Sequence, residues 1–178
     1  NMDLLAEAGI DSIPTNWDEV IDACGKLQAA GNGTLYFGWN ITGNWFHQAL
    51  MHTQNVKIVE DGKVNLGGDA GLATLQQMHD IMSGCNMPNY SIADGQAAFN
   101  AGTIGMMFWS TSSLGSVNAA KADFVLKTAP FPGMAGVNNG TPARLPAGGN
   151  AAMLTSTSDD PARVDAAWTF LKFITSGI

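Results

Sequence analysis

Residues 105–117 read GMMFWSTSSLGSV. The run up to Trp109 is apolar and predicts a buried strand over 103–109. It then breaks into four consecutive hydroxyl residues, Ser110, Thr111, Ser112 and Ser113, and enters a short helix near 111–120. A strand that turns directly into a helix is the building unit of an α/β sheet. Capping a helix start requires one side-chain oxygen, so one capping role leaves three further hydroxyls to explain.

Working outward, the rest of the chain alternates in the same way. Residues 2–8 predict a short helix ended by Gly9. In IPTNWDEV, Asn16 stands as an N-cap with Glu19 three residues on, and Trp17, Val20, Ile21, Cys24 and Leu27 recur at helical spacing. TLYFGW (34–39) reads as a buried strand, and ITGNWFHQALMH as a loop entering a helix with Thr42 or Asn44 near its start. KIVEDGKVNL reads as a hairpin turning at Asp61-Gly62. Asp69 caps a helix with Leu72, Leu75, Met78, Ile81 and Met82 on its apolar face, and Ser91 caps another through Ala97, Ala98 and Phe99. FVLKTAPF (124–131) predicts a strand stopped by Pro130 and Pro132, 132–147 an exposed loop, and 149–155 a further strand. Asp159 or Asp160 with Pro161 opens a last helix whose apolar face is Val164, Ala167, Trp168, Leu171 and Phe173. The pattern specifies an α/β fold with a parallel or mixed sheet flanked by helices.

The 178 residues suit roughly one domain. A hydrophobic share of 46% against 13% charged residues marks a folded chain. The net charge is −7, and the eight Lys and Arg form no stripe. Nucleic acid is excluded as a partner, because phosphate neutralisation needs clustered cations. No apolar run approaches the ~20 residues of a membrane span. Cys24 and Cys85 lack the spacing of a zinc or redox motif. They read as two buried or half-buried thiols, with a disulfide as the alternative in an oxidising compartment. The chain opens inside NMDLLAEAG, already helical, and reads as a piece of a longer protein.

Catalytic patterns are missing. There is no G-x-S-x-G, Walker loop, H-E-x-x-H or G-x-G-x-x-G, and no metal or cofactor is expected. His47 and His52 fall on different helix faces, and His79 stands beside Asp80. The hydroxyl cluster therefore has three readings: a cap with spare serines, a nucleophile that needs a histidine within reach, or a ligand cradle. Hydroxyls both donate and accept, which suits a sugar, a polyol or a phosphate. Trp39, Trp45 and Trp109 lie at predicted strand or helix ends, where an indole face could stack on a carbon skeleton.

Several passages in order resemble the family-1 extracellular solute-binding proteins of ABC importers. These are NMDLLAEAGIDSIPTNWDEVIDACGKLQAAG, DGQAAFNAGTIGMMFWSTSS, APFPG, LPAGGNAAML and AAWTFLKFITS. Within that family, Ser110-Thr111-Ser112-Ser113-Leu114 is most similar to the Ser-rich run of the glycerol-3-phosphate-binding type. An Asn is inserted between Thr15 and Trp17, Ser112 stands where that type has Gly, and Thr42 where it has a second Trp. The resemblance implies the carboxy-terminal lobe of a periplasmic-binding-protein type II fold. Residues 1–131 would be the lobe core, 132–147 a loop, and 148–178 a strand and helix crossing toward the other lobe. It implies a ligand set of Ser110, Thr111, Ser112 and Ser113, Trp45 and Trp109, with backbone contacts at Gly148 and Gly149. It further implies a periplasmic protein, or an extracellular lipid-anchored one. Such a protein would bind a sugar or polyol phosphate without catalysis and pass it to membrane permease subunits. The alternatives are a hydrolase-like α/β enzyme with a Ser nucleophile and a non-catalytic interaction domain.

Overall fold

The computed structural model describes residues 1–137, 144–146, 152–155 and 159–176, and of residues 39–42 it describes the backbone. The chain divides into two compact units, Asn1–Pro146 and Ala147–Ile178.

The first unit is built on one parallel strand pair. β1 (Gly33–Phe37) lies beside β4 (Ile104–Phe108), with Gly33 opposite Ile104 and Phe37 opposite Phe108. A parallel pair needs a long crossover. Here that crossover contains α3 (Trp39–Thr53), a hairpin of β2 (Val59–Glu60) and β3 (Lys63–Val64), α4 (Gly68–Gly84) and α5 (Ile92–Asn100). Before β1 come α1 (Met2–Glu7) and α2 (Trp17–Ala29); after β4 come a single 3-10 turn (Thr111–Ser113) and α6 (Leu114–Ala120).

The strand pair divides the core. Leu35 and Phe37 enter a cluster with Trp17, Val20, Cys24, Phe46, Leu50 and Ile81. Tyr36, between them in sequence, enters the other cluster with Phe99, Ile104, Val117 and Phe124. Successive strand side chains point to opposite faces, so β1 feeds both. Gly95 allows α5 to lie against the buried Tyr36 ring, since a Cβ there would collide with the ring carbons. Burial raises the Tyr36 phenol above its ordinary value, and the nearby Asp94 charge adds to this.

Local chemistry sets most of the element ends. The Asn16 side chain accepts from Glu19 N–H at 3.0 Å. Glu19 reaches back one residue further than a capping box would, accepting from Thr15 N and Thr15 Oγ1 at 2.7 and 2.9 Å. Ser91 caps α5 by accepting from Asp94 N–H. Asp61 and Gly62 have φ of 52° and 73°, the paired left-handed conformation of a type I′ hairpin turn.

Several expectations fail. α3 begins at Trp39, directly after Gly38, so residues 40–44 are helical rather than a loop and the strand stops at Phe37. The N-cap of α4 is Gly67, and Asp69 lies inside its first turn. The buried face of α4 is Gly71, Thr74 and Ile81, while Leu72, Leu75 and Met82 are exposed. A Cβ at Gly71 would collide with the Leu66 carbonyl, and Thr74 faces the end of α3, where Gln54 Nε2 donates to Ala70 O at 3.1 Å and to Thr74 Oγ1 at 2.8 Å. Residues 124–131 form no strand; among the described residues no neighbouring strand completes a ladder there. The segment is held at its ends, by Met2 N–H donating to Val125 O and by Gly133 bridging in parallel to Asn16. Pro132, Gly133 and Met134 are accordingly buried, not part of an exposed loop. Residues 152–155 carry no regular structure, and the remainder of the predicted 149–155 strand, 149–151, lies outside the described residues.

Cys24 and Cys85 are bonded as a disulfide, both fully buried, rather than standing as two thiols. The bond ties α2 to the C-cap of α4. Thr34 Oγ1 donates to Cys85 O at 2.6 Å and secures the same point to β1.

In the second unit the described secondary structure is α7 (Pro161–Thr175), capped by Asp160, which accepts from Ala162 N–H, with Pro161 in the first turn. Its unit leaves Trp168, Phe170 and Phe173 exposed.

Candidate functional site

Because β1 and β4 run parallel in register, their carboxyl ends are neighbours. One end leads through Gly38 into α3, the other through Trp109 and Ser110 into the 3-10 turn and α6. Ligands of open α/β sheets collect at such strand ends. The structure thus brings the hydroxyl cluster to the edge where a site is expected.

The cluster has a defined internal order. Ser110 is the N-cap of the 3-10 turn, its Oγ accepting from Ser112 N–H at 3.2 Å. Ser110 Oγ and Ser112 Oγ lie 2.9 Å apart and share a proton donor between them. Trp109 Nε1 donates to Ser113 Oγ at 3.0 Å, which holds the half-buried indole against the turn. Thr111 Oγ1 makes no hydrogen bond within the described residues. Ser110, Thr111 and Ser112 are exposed. Capping therefore occupies one hydroxyl and indole anchoring a second, leaving outward donors on Ser110 or Ser112 and on Thr111.

Beside the strand ends stands an aromatic wall. Phe108, the last residue of β4, packs on Trp17 and Phe131 with ring centroids 4.9 and 5.6 Å away. Trp45 meets Phe131 edge to face at 5.7 Å. Trp45 lies inside α3, not at its start, and is half-buried. Its link to the strand ends is Phe131, a residue that sequence reasoning missed. The signal available was the aromatic between Pro130 and Pro132, which fixes an extended backbone unsuited to a central strand. Trp39 opens α3. Gly148 and Gly149 lie outside the described residues.

The hydrogen-bond partners of these four residues' side chains are one another and Trp109, and no histidine is among them. His79 pairs with Asp80 on the exposed side of α4. Among the described residues, no cluster of His, Cys, Asp and Glu could hold a metal ion. Also among them, no helix is long and apolar enough to cross a membrane.

Solved structures with this fold are known. A family 1 extracellular solute-binding protein from Bifidobacterium longum subsp. infantis matches with a TM-score of 0.70 at 20% identity, over 99% of this chain and 48% of its own. T. maritima MalE3, determined with maltose bound, matches with a TM-score of 0.61 at 21% identity, over 98% of this chain and 46% of its own. The chain spans about half the length of these structures, and its fold is a solute-binding-protein lobe. The family model for bacterial extracellular solute-binding proteins matches residues 1–176, and the chain belongs to that family. A search of curated proteins finds no match.

Proposed function

We propose that the chain is the carboxy-terminal lobe of the substrate-binding component of an ABC importer. In this reading it captures a small polyhydroxylated solute, a sugar or glycerol 3-phosphate, in a cleft against a second lobe. The observation that carries the reading is the position of Ser110–Ser113 and Trp109 at the shared carboxyl end of β1 and β4. Thr111 and one hydroxyl of the Ser110–Ser112 pair donate to ligand oxygens, while Ser113 holds Trp109. Trp109 and Trp45 offer apolar ring faces to the carbon skeleton. The maltose bound to the second structural neighbour supports a sugar.

Closure of two lobes about a hinge traps the solute and presents the closed form to the permease subunits. The place of action is the periplasm or the cell exterior, by a lipid anchor in the latter case. A buried disulfide suits that oxidising side of the membrane. The exposed Trp168, Phe170 and Phe173 of α7 fit a segment that crosses to the other lobe. The test is a thermal-shift screen of the two-lobe protein against sugars, polyols and glycerol phosphates. A saturable rise in melting temperature with one of these classes is expected, and a flat response across all three would refute the reading. The isolated 178-residue chain, with half a cleft, is expected to bind weakly or not at all.

A further inference from the structure

Phe131 is the meeting point of the aromatic wall. Its ring centroid lies 5.2 Å from Trp17, 5.7 Å from Trp45, 5.4 Å from Phe46 and 5.6 Å from Phe108, each contact edge to face. Those rings come from the first residue of α2, the middle of α3 and the last residue of β4. Edge-to-face pairs at such distances are attractive beyond the area they bury.

Phe131 itself belongs to none of these elements. It stands on an irregular segment between Pro130 and Pro132, and a following proline confines a residue to extended backbone. Two residues on, Gly133 N–H donates to Thr15 O and Trp17 N–H donates to Gly133 O, both at 3.0 Å. Thr15 is held in turn by the Glu19 carboxylate. The segment is thereby clamped to the capped start of α2, and the Phe131 ring meets its neighbours from a fixed point.

Trp45 gains most from this. Phe46 is fully buried, so the core fixes its ring in any case, whereas Trp45 is half-buried. A half-exposed side chain has more than one staggered rotamer open to it. The contact with Phe131 selects one before a solute arrives. Ordering a side chain on binding costs affinity, and a ring that is already fixed avoids that cost.

We infer that Phe131 is a positioning residue of the solute site: clamped to the start of α2 and packed edge to face on four rings, it fixes the Trp45 ring beside the strand ends. The inference rests on the proposed function and adds to it a residue that acts through Trp45.

The test uses the two-lobe protein, Phe131→Leu, which keeps apolar bulk and loses the ring, and Phe131→Tyr, which keeps the ring. Calorimetry with maltose, glucose, glycerol and glycerol 3-phosphate reads affinity. Near-UV circular dichroism without solute reads the setting of Trp45, as the difference between each protein and its Trp45→Leu derivative. A probe that binds the parent should bind Phe131→Leu about three- to tenfold more weakly and Phe131→Tyr within about twofold of the parent. The Trp45 difference band should persist in Phe131→Tyr and shrink in Phe131→Leu. Gly95→Ala, which strains the core at Tyr36 instead, should bind like the parent. Unchanged affinity or an unchanged band in Phe131→Leu overturns the inference. So does an equal loss of affinity in Phe131→Tyr, because the ring is then not what matters, or in Gly95→Ala, because the loss then follows stability. Each of these leaves the proposed function standing. Failure of all four probes to bind the parent removes the proposed function and this inference with it.

Discussion

Removing the Cys24–Cys85 bond should weaken the lobe more than any single surface change. The bond joins residues 61 apart in sequence, with Cα atoms 4.9 Å apart, and lies wholly within the core around Trp17 and Ile81. A cross-link over a loop of that size removes unfolded-chain entropy worth about 4 kcal/mol on the loop-closure model. With a urea m-value of about 2–3 kcal/mol/M for a chain of this size, the midpoint should fall by roughly 1.5–2 M. The assay is equilibrium urea unfolding of the oxidised protein and of the Cys24→Ala/Cys85→Ala variant, followed by tryptophan fluorescence. The same variant should be indifferent to reductant, whereas the parent should move toward it. A midpoint shift under about 0.3 M would refute the argument, because it would mean that the hydrogen bonds from Thr34 and Gln28 to the end of α4 fix this corner without the bond.

Three further outcomes follow from individual contacts. Gly95→Ala should destabilise by about 1–3 kcal/mol in chemical denaturation despite alanine's better helix propensity, because the new methyl meets the fully buried Tyr36 ring. Asn16→Ala should cost about 1 kcal/mol through loss of the α2 cap, read in the same experiment. Glu19 is held below the ordinary carboxyl value by its hydrogen bonds from Thr15. A depressed folded value gives stability that is present above the unfolded value near ~4.3 and lost as pH falls through the lowered one. Glu19→Gln should therefore reduce the loss of stability between neutral and acidic pH, and an unchanged acid slope would count against the Thr15 contacts.

What the residues reveal unaided is local chemistry. Asn16, Ser91 and Asp160 act as caps because each has an oxygen within reach of nearby free N–H groups. Asp61-Gly62 turns the hairpin because both residues accept positive φ. The hydroxyl cluster is legible as a strand-to-helix junction for the same reason. The errors lie where distant parts decide. Large apolar residues point to Leu72 and Leu75 as the inner face of α4, yet the Leu66 carbonyl requires Gly71 there and the bond from Gln54 at the end of α3 engages Thr74. Gly43 and Asn44 look like a loop, yet α3 starts at Trp39, directly after Gly38. FVLKTAPF has strand composition, yet no strand among the described residues pairs with it. The disulfide and the Trp45–Phe131 contact join residues 61 and 86 positions apart, and spacing alone does not announce either.

The central claim is that solute is held at the joint carboxyl end of β1 and β4. A crystal structure of the two-lobe protein with its solute bound tests it most directly. The account predicts a ligand oxygen within about 3.2 Å of Ser110 Oγ or Thr111 Oγ1, and a carbon face against Trp109 or Trp45. A solute bound elsewhere, with the four hydroxyls facing only water, would contradict it.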